Sequence, residues 1–163
     1  MVLSDQIAIL RDGVLQQFAT PEETYRAPVN TFVAGFIGNP RMNFINGKLS
    51  HSNGIATLEG SAATFPLAGD YLLAHASSEG RDVTLGIRPE HLILSSPGPS
   101  AVVAQVELVE LVGPVSYLDL SIGDRSLRAS VAGNSKYSIG QKVGVSFDNE
   151  SLLLYDRNTG ILL

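Results

Sequence analysis

Over the first forty residues the apolar positions come as two short runs and then at helical spacing; from Met42 onward they alternate. Ile7–Leu10 and Val14–Ala19 flank Arg11-Asp12-Gly13. An Asp-Gly pair between apolar runs predicts a tight hairpin, because glycine accepts positive φ. Thr20-Pro21-Glu22-Glu23 then reads as a helix start, with a capping hydroxyl, proline at the first helical position and acids at the positive end of the dipole. Pro28 stops that helix. Asn30 caps a second one, whose apolar face is Phe32, Val33, Phe36 and Ile37. Pro40 disfavours helical geometry at Asn39 and ends it.

The period-two segments predict short strands at "GIATLEG", "ATFPL" and "DVTLGIRPEHLIL", the last interrupted by Pro89. "GDYLLAHASSEG" predicts a short helix capped by Asp70, and "SSPGPS" a turn-rich connector. In "AVVAQVELVELV" the residues Val102, Ala104, Val106 and Leu108 share a face; a slip of phase at Val109-Glu110 predicts a bulge that brings Leu111 inward. Leu118, Leu120 and Ile122 oppose Leu127, Ala129 and Val131 in a hairpin, "KVGVSFD" alternates, and "LLLYDRNTGILL" closes with a strand pair around Asn158-Thr159-Gly160. Five strands, a bulged first strand and frequent glycine favour a small Greek-key barrel of the OB type. The fold class expected is therefore mainly β, with an N-terminal β-hairpin and two short helices. Residues 1–39 and 40–163 form the two expected units, divided at Pro40.

Composition narrows the function classes. Hydrophobic residues are 44% and charged residues 17% of the 163, enough for a packed core. There is no cysteine, hence no disulfide framework or thiol chemistry, and a reducing cytosol fits. No apolar run approaches the roughly 20 residues that a membrane helix requires, so direct membrane insertion is not expected. A net charge of −5 with dispersed basic residues argues against a nucleic-acid partner, which needs clustered cations to displace counterions.

Four segments in order carry a resemblance: "LSDQIAILRDGVLQQFATPEETYRAP", "FVAGFIGNPRMNF", "LGIRPEHL", and "VELVELVGPVSYLDLSIGDRSLRASV" with its ending "YDRNTGILL". They resemble the C-terminal part of ATP-binding-cassette importer ATPases of the MalK type, and the likeness covers nearly the whole chain. Ala19, where the family usually has glycine, and Thr24, at a usually apolar helix position, are departures. The resemblance implies that residues 1–39 are the end of a nucleotide-binding domain and 40–163 a TOBE/OB regulatory and dimerisation domain. It implies partners too: a second copy of the chain, permease subunits reached through the nucleotide-binding domain, and a regulatory protein. It also implies a place at the cytoplasmic face of the plasma membrane. The chain contains no G-x-x-x-x-G-K-[ST] motif, no signature sequence, no Asp-Glu strand end and no switch histidine, so Met1 is expected to start a fragment of a longer ATPase. No catalytic residue, metal ligand or cofactor is expected in it; ATP and magnesium belong to the full-length parent.

Three groups of residues remain as candidates. Asn39, Pro40, Arg41, Met42, Asn43 and Phe44 follow the helix-stopping step, where two modules must pack; they are either ordinary core or an interdomain hinge, with Arg41 as its anchor. Arg88, Pro89, Glu90 and His91, the regulatory-domain motif, are either a turn with structural hydrogen bonds or a ligand site. Leu152, Leu154, Ile161 and Leu163 are expected to face outward and form a dimer interface, since a two-fold contact needs a self-complementary apolar patch. The alternative function is a small-ligand or oxyanion-sensing module with Arg88, His91 or Arg125 as anion contacts. The apolar side chains of residues 1–38 are expected to fold back on the barrel, pack on a second copy or be exchanged between copies.

Overall fold

A computed structural model describes residues 4–52, 55–67, 80–98, 102–133 and 136–163. The chain opens with the hairpin β1 (Ile7–Arg11) and β2 (Val14–Ala19). Its turn places Asp12 at φ 50° and Gly13 at φ 79°, both left-handed, as a two-residue turn matched to strand twist requires. Helix α1 (Pro21–Arg26) begins with a capping box. The Thr20 hydroxyl accepts from the Glu23 N–H while the Glu23 carboxylate accepts from the Thr20 N–H. Asn30 caps α2 (Thr31–Phe36) by accepting from the Val33 N–H. The apolar face expected of α2 is rotated by one position. Val33 and Ala34 are buried, whereas Phe36 is 67% exposed and stacks on Phe32 at the surface.

The remaining strands are β3 (Asn43–Ser52), β4 (Ile55–Gly60), β5 (Thr64–Leu67), β6 (Asp82–Ile87), β7 (Leu92–Ser95), β8 (Val102–Val112), β9 (Val115–Ile122), β10 (Arg125–Ala132), β11 (Lys142–Phe147) and β12 (Leu153–Asp156). They form two open antiparallel five-stranded sheets, ordered β12-β6-β3-β4-β5 and β10-β9-β8-β11-β7. In the second, β8, β9 and β10 meander and β11 returns beside β8, which is a Greek key. The five strands read from the C-terminal half are redistributed: β12 crosses to the first sheet and β7 takes its place in the second. One continuous core joins the sheets, with Leu49, Leu58, Leu67 and Leu85 from the first and Val106, Leu118 and Leu120 from the second fully buried.

The hairpin register matches the sequence pattern, Leu127 opposite Leu120 and Ala129 opposite Leu118. The bulge in β8 lies earlier than expected, between Val106 and Leu108. Leu108 is therefore outside, Val109 packs on the core, and Leu111 is exposed rather than inward. His51 lies on β3 opposite Ala56. The short helix expected in "GDYLLAHASSEG", capped by Asp70, falls outside the described residues. The dimer-face expectation needs correction: Leu152 is 2% and Leu154 0% exposed, both inside the main core. A 3-10 turn at Asn149–Ser151 sets the phase, so that Leu152 and Leu154 point to the sheet interface. Ile161 is 57% exposed, and Leu163 is partly buried against the core.

The helices fold back on the body of their own chain. A smaller core holds Ala34 from α2, Met42 after the Asn39-Pro40 step, and Tyr155 from β12, flanked by Phe44, Leu153 and Leu162. Thr31 donates its N–H to Gly160 O and Leu162 to Val29 O, so residues 160–162 pair with the start of α2. The hairpin is tied on by Gln17, whose amide donates to Ala27 O and accepts from the Val29 N–H. Its Leu10, Val14, Leu15 and Phe18 remain exposed.

Candidate functional site: the junction at Arg88

The chain leaves β6 in one sheet and enters β7 in the other through Arg88 and the 3-10 turn Pro89–His91. Proline at the first position of that turn needs no N–H partner, and Pro89 is buried with Arg88. Arg88 is only 4% exposed, and its guanidinium points back at the helices. It donates to Ile37 O at 2.9 Å and to Tyr25 O, and lies 3.4 Å above the Tyr25 ring. Ile37 caps the C-terminal end of α2 and Tyr25 lies in α1. A cation supplied to the carbonyls of a helix end satisfies acceptors that the helix cannot pair itself and favours its dipole. Burial pulls the Arg88 guanidinium below its usual pKa, with Tyr25 and Glu90 opposing. The Tyr25 hydroxyl donates to Glu90; burial first, and that carboxylate second, push its pKa up to about 12.

His91 and Asp148 sit beside this latch, 3.4 Å apart. Asp148 also accepts from the Ser151 hydroxyl at 2.7 Å and from the Glu150 N–H, and its own N–H donates to His91 O. The Ser151 hydroxyl bond, helped by the Glu150 N–H and His91, holds the Asp148 carboxyl below the usual range against an opposing burial effect. The serine proton is directed at the aspartate and not at the imidazole, so these three residues do not make a base-activated nucleophile. An open cleft of about 740 Å3 runs between α1 and these turns, floored by Met42 and Leu153. Among the described residues no group of His, Asp and Glu could hold a metal ion.

The structure brings Arg88, Glu90 and His91 to one place but leaves Arg88 occupied by backbone carbonyls. Arg125 lies apart, at the start of β10, bonded to the Ser61 hydroxyl at 3.2 and 3.1 Å. The segment 39–44 divides. Asn39 and Arg41 are exposed, and Arg41 makes no ion pair or side-chain hydrogen bond among the described residues. Met42 is buried, and Phe44 meets the Tyr155 ring edge-on at 6.2 Å. Asn43 donates its amide to Ile87 O at 3.2 Å and Arg128 O at 2.9 Å, and accepts from the Arg128 N–H at 2.7 Å. Arg128 in turn reaches Asp119 at 3.0 Å and Glu110. Two further participants escaped sequence reading, Tyr25 and Gly86. A Cβ on Gly86 would come within 2.7 Å of Met42 Sδ and 3.0 Å of the Tyr155 ring. The glycine inside an otherwise apolar strand was the available signal, since it marks a close approach.

Residues 38–92 match the MalK OB fold domain and residues 85–154 the TOBE domain. The chain is 36% identical to the trehalose/maltose import ATP-binding protein of Thermococcus litoralis, over 98% of its own length and 44% of that protein's. It is 35% identical to the sn-glycerol-3-phosphate import ATP-binding protein of Salmonella typhimurium, with the same coverage. The chain carries the MalK OB fold and TOBE domains, and it is similar to part of these import ATP-binding proteins. The sulfoquinovosyl glycerol transport ATP-binding protein of Agrobacterium fabrum is 33% identical, again over 98% and 44%. The chain thus spans less than half the length of the relatives it matches. Its two domain matches overlap at 85–92, the Arg88 crossover itself. Among solved structures, the cytoplasmic molybdate-binding protein ModG shares the fold, with TM-score 0.52 and 11% identity over 69% of this chain and 94% of that one.

Proposed function

We propose that the chain is the regulatory and dimerisation part of an import ATP-binding subunit, non-catalytic by itself. Residues 1–39 are the end of a nucleotide-binding domain and 40–163 the OB/TOBE domain. The whole subunit couples ATP hydrolysis, with magnesium, to solute uptake through permease subunits at the inner face of the membrane. The observation that carries this reading is the Arg88 latch. A buried cation grips carbonyls from both helices, so movement of the helical arm is passed to the OB body as a rigid displacement. The shared core of Ala34, Met42 and Tyr155 supports the same role. The exposed Leu10, Val14, Leu15 and Phe18 of the hairpin are the face that the remainder of a nucleotide-binding domain covers.

Two measurements test it. Sedimentation of the purified chain at high micromolar concentration should show reversible self-association, and a fluorescent ATP analogue should show no saturable binding. A strictly monomeric chain removes the dimerisation role, and ATP turnover by these residues alone removes the reading entirely.

A further inference from the structure

We propose that Asn43 is the positioning residue of the Arg88 latch, joining the outer edge of the second sheet to the helical arm through one hydrogen-bonded path. The inference rests on the reading that arm and body move as one, and it names the part that enforces it. Among the described residues strand β10 is an edge strand, paired only with β9, and an edge strand presents N–H and C=O groups with no partner in its own sheet. At Arg128 both groups are taken by a single side chain from the other sheet. Asn43 accepts from the Arg128 N–H at 2.7 Å and donates to its carbonyl at 2.9 Å, the two bonds that a neighbouring strand residue would make.

The second amide proton of Asn43 goes to Ile87 O at 3.2 Å, the peptide carbonyl directly before Arg88. That bond fixes the peptide plane from which Arg88 departs. Arg88 then reaches Ile37 O and Tyr25 O. The path therefore runs from β10 through the Asn43 amide and Ile87 to α1 and α2. On the far side Arg128 is itself anchored by Asp119 on β9 and Glu110 on β8. Asparagine alone among small side chains supplies two donors and an acceptor in one plane. The substitution Asn43→Asp keeps the acceptor, removes both donors and sets a charge against two carbonyls.

Hydrogen exchange on the 163-residue chain tests this through two sets of amides. Ala27 and Ile37, bonded to Glu23 O and Val33 O, report arm opening; Leu118 and Leu120 in β9 report global opening. Asn43→Asp and Asn43→Ala are expected to lower protection at Ala27 and Ile37 at least tenfold, as Arg88→Met does. The double variant with Arg88→Met should fall no further than Arg88→Met alone, because Asn43 then has nothing to position. Val106→Ala, which loosens the second-sheet core without touching the path, should lower β9 protection and spare the arm. Should Asn43→Ala not fold, Asn43→Asp decides, since it keeps the bond from the Arg128 N–H. An unchanged arm in Asn43→Asp, or a double variant whose loss equals the product of the single losses, overturns the proposal. Neither outcome bears on self-association or nucleotide binding, so the broader reading stands or falls separately.

Discussion

Replacing Arg88 by methionine probes the junction most directly. The methionine stem fills much of the same volume, but it cannot donate to Ile37 O or Tyr25 O. Each charge-assisted hydrogen bond lost with its carbonyl left in a part-buried site costs about 1.5–3 kcal/mol. Loss of the cation from the Tyr25 face adds about 1–2 kcal/mol. Opposing this, the variant no longer holds a charge out of water, a relief of several kcal/mol per ion. The carbonyls decide the sign. Replacing a whole buried ion pair by apolar groups can be neutral, whereas here the acceptors are backbone and stay behind. A net loss of about 2–4 kcal/mol follows, which for a chain of this size lowers Tm by roughly 5–12 °C. Differential scanning calorimetry and urea unfolding measure it, with a lower midpoint and an unchanged m-value. Arg88→Lys, with a single point-like donor group, should fall between the two. A methionine variant within about 2 °C of the parent, below the smallest shift this reasoning allows, would refute the latch as described.

Gly86→Ala should lose about 1–3 kcal/mol from overpacking against Met42 and the Tyr155 ring, read by urea denaturation. Leu154→Ala should cost about 2–5 kcal/mol as a core truncation, while Ile161→Ser, at an exposed site, should leave Tm almost unchanged. Tyr25, whose pKa lies above the ordinary tyrosine value at about 12, stays neutral in the folded chain after the unfolded chain has ionised. Its stabilisation is complete below about pH 10 and is lost between about pH 10 and 12; ultraviolet titration should find a late tyrosine that Tyr25→Phe removes. Asp148 is held low chiefly by the Ser151 hydroxyl, so its contribution is present above the ordinary carboxyl pKa and lost as pH falls below about 4. The drop in Tm between about pH 6 and pH 3 should therefore be shallower in Asp148→Asn.

Local chemistry made the arm and the hairpins legible. The Asp12-Gly13 turn, the Thr20 box, the Asn30 cap and the Leu118–Leu120 alternation depend on residues within a few positions of each other, and these appear in the structure. What escaped was long-range. The phase of β12 is set by a 3-10 turn that has no strong composition cue, so Leu152 and Leu154 read as outward when they are core. Likewise the bulge in β8 sits at Glu107, whose carboxylate accepts from the Ser121 hydroxyl across the strand pair, a partner that no local pattern names. Arg88 was visible as part of a motif, but its acceptors Tyr25 O and Ile37 O lie far away in sequence. Backbone carbonyls carry no side-chain signature, so no reading of residue types could choose between a ligand site and a helix clamp.

The placement of β12 has a bearing on how the molecule is made. This strand completes the first sheet beside β6, and the residues just after it hold α2 through Gly160 O and the Leu162 N–H. On a ribosome, every strand of the second sheet is extruded earlier, while β6 keeps one flank bare. At translation rates of about 5–20 residues per second that bare flank persists for several seconds. Nascent chains stalled before residue 153 should thus expose a sticky β6 rim and a helical arm with nowhere to rest, the species on which a chaperone would act.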